Sequence, residues 1–275
     1  MDNFENYINE YFAKLKPSKI RDAMIYAIDG GKRFRPRIIF SILKGMNIDE
    51  SKGYDAALAL EMIQTYSLIH DDLPAMDNDD MRRGKPSLHK AYREDIAILT
   101  GDELLTESFG VIANSKDYYS ETKVNLISTL SKYAGLDGMV YGQLLDVTTN
   151  PNEIDDDLLF DIQDNKTSGL FKICCLFAMY IGGIDKKVYF ENLGSRIGVL
   201  FQNQDDLFDQ IKSEEEMGKL KSDIKNNKAT ALCLYSIDEL KQIINDEFEQ
   251  LDNYLLNAPF DTKCLKEILN KMKNR

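Results

Sequence analysis

The chain has 275 residues, 43% of them hydrophobic, which is enough for a large buried core. Its formal net charge of −12 argues against a general nucleic-acid binder or a binder of anionic membranes, since both need a broad basic surface. No linker-like, low-complexity or repeated segment interrupts the sequence, so we expect residues 1–275 to form one domain.

The N-terminus and the cysteines predict a cytoplasmic protein. The residues after Met1 are acidic and polar, so no secretory signal is expected. The longest apolar stretch, 169–184, contains Lys172 and is too short to span a bilayer comfortably, which favours a buried helix. The four cysteines lack the spacing of a zinc site or a disulfide framework. We therefore expect a soluble protein in a reducing compartment, without stable membrane insertion.

Apolar residues recur at helical spacing along most of the chain. The pattern is clearest in four long segments, 56–69, 95–113, 158–181 and 197–211. Convincing strand alternation is absent, and turn signals fall between the apolar runs at 16–18, 29–31, 84–86, 150–152 and 182–183. The sequence therefore predicts an all-α bundle of roughly ten helices.

Positive charge is concentrated at two places in this acidic chain. The first is Gly30-Gly31-Lys32-Arg33-Phe34-Arg35-Pro36, and the second is Arg82-Arg83-Gly84-Lys85. Lys and Arg side chains at such places are suited to hold phosphate oxygens.

A first acidic cluster, Asp71-Asp72-Leu73-Pro74-Ala75-Met76-Asp77, ends a long apolar helix. Pro74 forbids regular continuation of that helix, so Asp77 can turn back toward Asp71 and Asp72. Taken alone, such a cluster could equally be solvated surface. A calcium loop is not expected, because the glycine and the glutamate of an EF-hand are missing from this region.

A second acidic cluster, Asp205-Asp206-Leu207-Phe208-Asp209, contains no proline, so Asp205 and Asp209 should share one helix face with Gln202. Carboxylates without a histidine or cysteine cluster select a hard cation, and magnesium is the obvious candidate.

His70 is interpreted as a residue that orients a carboxylate or fills a helix face. The densely charged segment 214–228 follows and is either a lid or a solvated loop.

Two acidic and two basic clusters together predict a polyphosphate site, because carboxylates can hold metal while Lys and Arg hold phosphate oxygens. The familiar nucleotide signatures are missing: the sequence has no GxxxxGK[ST] loop, no GxGxxG motif and no predicted βαβ unit. No Ser or Cys nucleophile motif is found either.

At this point the sequence resembles the trans-prenyltransferase (polyprenyl synthetase) family, which includes farnesyl and geranylgeranyl diphosphate synthases. The matching segments, in order, are 30–36, 66–72, Arg83, Gly142-Gln143, Lys166-Thr167, Phe201-Gln202, 205–209 and 219–228. The resemblance implies an isoprenoid-synthase bundle around a central cavity, and a homodimer. It also implies condensation of isopentenyl diphosphate with dimethylallyl and then geranyl diphosphate, to give farnesyl diphosphate as in bacterial synthases.

The resemblance also assigns roles to individual residues. The metal ligands would be aspartates holding about three magnesium ions: Asp71, Asp72, Asp77, Asp205 and, directly or through water, Asp209. The allylic diphosphate would be bound by Arg82, Lys166 and Lys219, and the isopentenyl diphosphate by Lys32, Arg35 and Arg83. The substrate-binding set is completed by Gln64 and Lys228. The catalytic set would be Lys166, Thr167, Gln202 and Lys219, with Thr167 and Gln202 turning oxygen atoms toward the developing cation.

Two positions depart from the family pattern. Gln64 stands where many bacterial relatives carry histidine, although both side chains can donate to phosphate. The segment 218–223 is one residue shorter than usual and lacks a second glycine, so Lys219 matches less closely than Lys166.

Product length in this family depends on the floor of the pocket beneath the first acidic cluster. Tyr66 lies five residues before Asp71, a descent of about 7.5 Å along a helix, and Ser67 beside it leaves space. An aromatic floor at this depth implies a C15 product, with C20 as the alternative, although Tyr66 could simply pack in the core. Two further alternatives are a terpene cyclase, which needs no second diphosphate site, and the inactive subunit of a heteromeric synthase.

Overall fold

Helices form nearly all of the regular structure in the computed structural model, which describes residues 1–211 and 228–274. In chain order they are α1 Asp2–Lys14, α2 Lys19–Ile28, α3 Phe34–Gly45, α4 Tyr54–Asp71, α5 Leu88–Ala91, α6 Glu94–Asn114, α7 Ser120–Ala134, α8 Met139–Thr148, α9 Asp156–Lys166, α10 Ser168–Gly182, α11 Lys187–Ile211, α12 Ile237–Tyr254 and α13 Lys263–Lys273. Short 3-10 helices occupy Glu50–Gly53, Pro151–Glu153, Ala231–Cys233 and Leu255–Asn257. The predicted all-α class is confirmed.

The core is built around α4 and α10, whose side chains are buried on nearly every side. A helix that is apolar all round belongs at the centre of a bundle, covered by amphipathic neighbours. Here α4 packs against α6, and α10 packs against α11, α3 and α7. The apolar stretch 169–184 is thus a buried helix, as predicted. No helix in the described part of the chain is long and apolar enough to cross a membrane.

The prediction of one continuous helical run over 158–181 is wrong at one point. Helix α9 ends at Lys166 and α10 begins at Ser168, with Thr167 between them. The Ser168 hydroxyl donates to the carbonyl oxygens of Gln163 (3.3 Å) and Ser195 (3.2 Å), and thereby satisfies acceptors near the break. The break places Lys166 and Thr167 at a helix end, where side chains can reach a cleft.

A short β-hairpin follows the first acidic cluster and was not expected from the sequence. Strand β1 (Met81–Arg82) pairs with β2 (Lys85–Pro86) in antiparallel register, with Arg82 opposite Lys85. Its two turn residues, Arg83 and Gly84, have φ angles of 53° and 74°, the left-handed pair that a tight hairpin requires. Strands of two residues are too short to show alternation, which is why the sequence pattern did not predict them.

Candidate active site

Side chains from α8, α9, the α9–α10 junction, α11 and residues 228–230 surround a cleft. The polar members of its lining are Asp146, Gln163, Lys166, Thr167, Gln202, Asp206, Lys228 and Thr230. The first acidic cluster adjoins this cleft through the contacts described next. The structure therefore brings Asp71, Asp77, Lys166 and Lys228 together at or beside this cleft.

In the first acidic cluster the chain turns back after Pro74. The Asp77 amide donates to the Asp71 carbonyl oxygen at 2.8 Å, so the two residues lie side by side as the proline predicted. The Asp71 carboxylate accepts a hydrogen bond from Gln143 Nε2 at 2.9 Å. Burial raises the pKa of Asp71, and the positive charge of Lys166 opposes that rise. A carboxylate in this setting gains from a bound cation.

The carboxylate of Asp72 points to a different set of neighbours. Asp72 is only 2% exposed and accepts from Arg82 Nε at 3.0 Å, and Arg82 Nη2 also lies 3.2 Å from Asp79 Oδ2. Burial raises the pKa of Asp72 to about 6, although the Arg82 hydrogen bonds oppose the shift. Burial lowers the pKa of Arg82, but its contacts with Asp72 outweigh this and raise it. Asp72 thus pairs with Arg82, and its predicted role as a metal ligand stays a prediction.

Two lysines and two aspartates form an alternating chain across the cleft. Lys166 Nζ lies 2.6 Å from Asp146 Oδ2, and Lys228 Nζ lies 3.7 Å from the same oxygen. Lys228 Nζ also lies 2.8 Å from Asp77 Oδ2. Asp146 is a buried residue that sequence reasoning missed, and its signal was a polar position three residues after Gln143 on α8.

The second acidic cluster lies on α11, where Asp206 connects it to the neighbouring segments. Asp206 accepts from the Ala231 amide (2.9 Å) and from Gln202 Nε2 (2.7 Å). The Thr167 hydroxyl donates to Gln202 Oε1 at 2.6 Å. Gln202 is therefore connected to Asp206 and to Thr167, a polar relay joining α11 to the α9–α10 junction.

Asp205 is half-buried and Asp209 is 7% exposed on the same helix. Their predicted role as metal ligands stays a prediction. Among the described residues no three carboxylate, histidine or cysteine side chains form a ready-made metal cage. Magnesium is usually held by one or two carboxylates together with substrate phosphates. The oxygen-only donors of Asp71, Asp77 and Asp205 suit that ion.

The basic loop before α3 is organised around a buried arginine. Arg33 has a φ of 52°, is 4% exposed, and pairs with Glu61 (2.8 Å) on α4 and with both carboxylate oxygens of Glu5 (2.8 and 3.0 Å) on α1. A Cβ on Gly31 would lie 2.4 Å from the Arg33 guanidinium, so only glycine fits there. Arg33 therefore holds the loop in place and does not face a substrate.

The residues predicted to bind isopentenyl diphosphate lie around this loop. Arg35 lies over the Phe171 ring at 4.6 Å, and Lys32 is exposed. Arg83 donates to the carbonyl oxygens of Ala27 (3.1 Å) and Ile28 (3.2 Å). Burial lowers the pKa of Arg83, and the charge of Arg35 contributes, which places the two guanidinium groups within electrostatic reach of each other.

Gln64 supplies a further unsatisfied polar group. Its side-chain oxygen is buried and has no hydrogen-bond partner in the described part of the chain. A buried amide of this kind costs free energy unless something pairs with it. Because this atom is an acceptor, only a hydrogen-bond donor can satisfy it.

Tyr66 lies under the first acidic cluster and packs against α6. It is 8% exposed, and its ring meets His70 edge to face with centroids 5.7 Å apart. His70 fits tightly against α6, since its ring occupies the space of a Cβ on Gly101. The half-buried Ser67 hydroxyl donates to the Gln64 carbonyl oxygen at 3.0 Å. His70 thus fills a helix face, one of the two interpretations the sequence left open.

Lys219 and most of the charged segment 214–228 lie outside the described residues, so their predicted roles stay predictions. Lys228 is the described end of that segment, and its contact with Asp77 places it at the first acidic cluster.

Comparison with known proteins agrees with this architecture. The polyprenyl synthetase family model matches residues 17–272. The farnesyl diphosphate synthase of Geobacillus stearothermophilus is 38% identical over 96% of this chain and 91% of its own length. Geranylgeranyl pyrophosphate synthase 7 of Arabidopsis thaliana is 37% identical over 92% of this chain and 75% of its own length.

Among solved structures, a geranyltransferase from Helicobacter pylori, complexed with magnesium and isoprenyl diphosphate, resembles the chain with a TM-score of 0.86 at 29% identity. That match covers 99% of this chain and 94% of the other. The predicted prenyltransferase class is confirmed, and the chain belongs to the polyprenyl synthetase family.

Proposed function

We propose that the protein condenses isopentenyl diphosphate with dimethylallyl diphosphate and then with geranyl diphosphate, giving farnesyl diphosphate. The observation that carries the proposal is the chain of Lys166, Asp146, Lys228 and Asp77 beside Asp71. Lysines and carboxylates paired in this way can exchange one another for a diphosphate and metal ions. The farnesyl synthase relative, matched over nearly its whole length, supports the same activity.

The allylic diphosphate would lie in the cleft between the two acidic clusters. A diphosphate carries about three negative charges, each costing several kcal/mol if it left water without a partner. Lys166, Lys228 and Arg82 offset that cost, and Arg82 offers a planar fork that Asp72 and Asp79 already orient.

The isopentenyl diphosphate would lie against the basic loop, bound by Lys32, Arg35 and Arg83. Arg33 fixes the loop from beneath. We expect this second site to bind diphosphate without metal. A terpene cyclase would not need it.

Asp71, Asp77 and Asp205 would hold magnesium, about three ions in all, which neutralises charge on the departing diphosphate. As the C–O bond of the allylic substrate breaks, the cation forms beside Thr167 and Gln202, whose oxygens stabilise it without attacking it. The double bond of isopentenyl diphosphate then forms the new C–C bond, and a proton is lost to the released diphosphate. Asp72, bound to Arg82, would position that arginine.

A C15 product is proposed because Tyr66 lies at the depth where a farnesyl chain should stop. Replacing Tyr66 by Ala should lengthen the product, since the ring is buried against His70 and its removal opens space. Tyr118→Ala is the matched control: Tyr118 is also 8% exposed, but its hydroxyl donates to the Lys52 carbonyl oxygen, near the other end of α4. Product lengths are measured by mass spectrometry. If Tyr66→Ala gives the wild-type distribution, Tyr66 is not the floor.

We propose a homodimer in the cytoplasm. Exposed apolar side chains on α6, such as Leu99 at 54%, and on α8, such as Leu144 at 49%, support an interface. The four free thiols are consistent with a reducing compartment. Light scattering on the purified protein measures the mass directly, and a monomer at micromolar concentration would contradict the dimer.

The deciding experiment incubates the purified protein with magnesium, isopentenyl diphosphate and each of the dimethylallyl, geranyl and farnesyl diphosphates. Consumption of the first two allylic substrates with accumulation of farnesyl diphosphate is expected. Accumulation of C20 product would favour the geranylgeranyl alternative. Failure to consume isopentenyl diphosphate with any partner would contradict the proposal, and diphosphate release from the allylic substrate alone would indicate a cyclase.

A further inference from the structure

We propose that Asp146 is a positioning residue for this reaction: its carboxylate holds the ammonium groups of Lys166 and Lys228 where the diphosphate leaves. This inference rests on the proposed function. Asp146 lies on α8, is 8% exposed, and had no role assigned from the sequence.

The first argument is geometric. One oxygen of Asp146, Oδ2, lies 2.6 Å from Lys166 Nζ and 3.7 Å from Lys228 Nζ. Lys166 ends α9, whereas Lys228 belongs to the segment that follows α11, so the two lysines come from separate parts of the chain. A single buried carboxylate between the two lysines fixes both long side chains before substrate binds. Without it, the side chains would lose their rotamer freedom on substrate binding, which would cost binding free energy.

The second argument concerns α8 as a whole. Gln143, one turn before Asp146, donates to Asp71 at 2.9 Å. These two polar side chains therefore point from one helix face to the first acidic cluster and to the lysines. Gln143 and Asp146 on this face of α8 therefore fix the Asp71 carboxylate and the two lysine ammonium groups relative to each other.

The third argument concerns Lys228, which has two carboxylates within reach. In the structure it lies closer to Asp77 (2.8 Å) than to Asp146 (3.7 Å). Asp77 is also one of the carboxylates proposed to hold magnesium, so Lys228 must leave it during the reaction. Asp146 Oδ2, already 3.7 Å from the ammonium nitrogen, is a second acceptor that keeps the ammonium group in the cleft.

Loss of the Asp146 charge should therefore lower kcat without raising KM. The variant removes a negative charge near a diphosphate, so ground-state binding is not weakened, but the lysines are no longer aimed at the leaving group. We expect Asp146→Asn to lower kcat on the order of 10²-fold while KM for the allylic diphosphate is unchanged or lower. Asp146→Glu keeps the charge and should recover most of the lost kcat.

A matched control is provided by Asp164 on α9. Its Oδ2 lies 2.6 Å from Lys172 Nζ, the same separation as in the Asp146–Lys166 pair, but neither residue lines the cleft. Asp164→Asn should keep kcat within a few-fold of wild type. An equal loss of kcat in both variants would reduce Asp146 to a general stabiliser of the fold and overturn the proposal.

The closing test is a double-mutant cycle of Asp146→Asn and Lys166→Met, read by kcat and by calorimetric binding of inorganic diphosphate. If Asp146 acts through Lys166, the second substitution adds little to the first. Additive effects, or a raised KM with unchanged kcat, would overturn the inference. If the wild type turns over no substrate, the proposed function fails. The binding of inorganic diphosphate then still tests Asp146: non-additive effects of the two substitutions support the inference, and additive effects overturn it.

Discussion

The two acidic clusters have similar sequences but are built differently. The first follows a helix broken at Pro74, and its carboxylates lie against side-chain cations: Arg82 on Asp72, and Lys228 on Asp77. The second lies within the continuous helix α11, where Asp206 accepts from a backbone amide and from Gln202. We propose that the first cluster exchanges these partners for metal and diphosphate during the reaction, whereas Asp206 of the second helps to hold the fold. Adjacent aspartate pairs in the two clusters therefore meet different surroundings.

The largest expected effect on kcat is at Asp71, in the first acidic cluster. Asp71→Asn should lower kcat on the order of 10³-fold with little loss of stability, because it removes a carboxylate proposed to hold magnesium. Asp80→Asn, at an exposed pair with Lys90, should leave kcat within a few-fold of wild type. Steady-state kinetics and thermal unfolding check both. If Asp71→Asn lowers kcat only a few-fold, Asp71 has a structural role, as proposed for Asp206, and no role in the reaction.

A smaller effect is expected at Arg82. The test there separates the contribution of the planar guanidinium geometry from that of the positive charge. Arg82→Lys keeps the charge but loses the fork that meets Asp72 and Asp79, so kcat/KM should fall about 10- to 100-fold. Arg93→Lys is the control, because Arg93 makes a similar forked contact with Asp95 on the surface. If the two variants behave alike in kinetics, the Arg82 geometry has no role in the reaction.

In the second cluster the change should appear first in stability. Asp206→Asn leaves two donors, the Ala231 amide and Gln202, facing an amide that can accept from only one side. We expect the free energy of unfolding to fall by about 1–3 kcal/mol, with a smaller loss of kcat than in Asp71→Asn. Urea denaturation measures the first quantity, with the exposed Asp252→Asn as a control. Unchanged stability would show that Asp206 does not fix the 229–231 segment.

The smallest effect lies behind the second cluster, at Glu247 on α12. Burial raises the pKa of Glu247 to about 7 from 4.5, and the Asn203 amide, which donates to it at 3.1 Å, opposes the shift. The folded state therefore holds this proton more tightly than the unfolded chain. Stability should fall as pH rises from about 4.5 to about 7.

Glu247→Gln removes this titration while keeping an oxygen for Asn203. It should match wild type near pH 4 and be more stable by about 1 kcal/mol at pH 8, because the side chain is only partly buried. Denaturant unfolding at the two pH values measures the difference. If the variant and the wild type are equally stable at pH 4 and also at pH 8, the Glu247 carboxylate is solvated in the folded protein.

The sequence predicted what depends on local pattern. The long helices follow from apolar spacing, and the return of Asp77 to Asp71 follows from Pro74. Three features could not be read this way. The hairpin is too short to alternate. The helix break at Thr167 falls inside a segment with helical spacing on both sides. Asp146 contacts lysines that lie twenty or more positions away in sequence. These depend on tertiary packing, which no local window contains.

The buried Arg33 has a consequence for anyone shortening or tagging the chain. The family match begins at residue 17, so a trimmed protein starting there would look complete by homology. It would nevertheless lose Glu5, which holds the arginine with both carboxylate oxygens. A half-compensated charge would then sit directly beneath the loop that carries Lys32 and Arg35. Helix α1 is therefore part of the support of the basic loop.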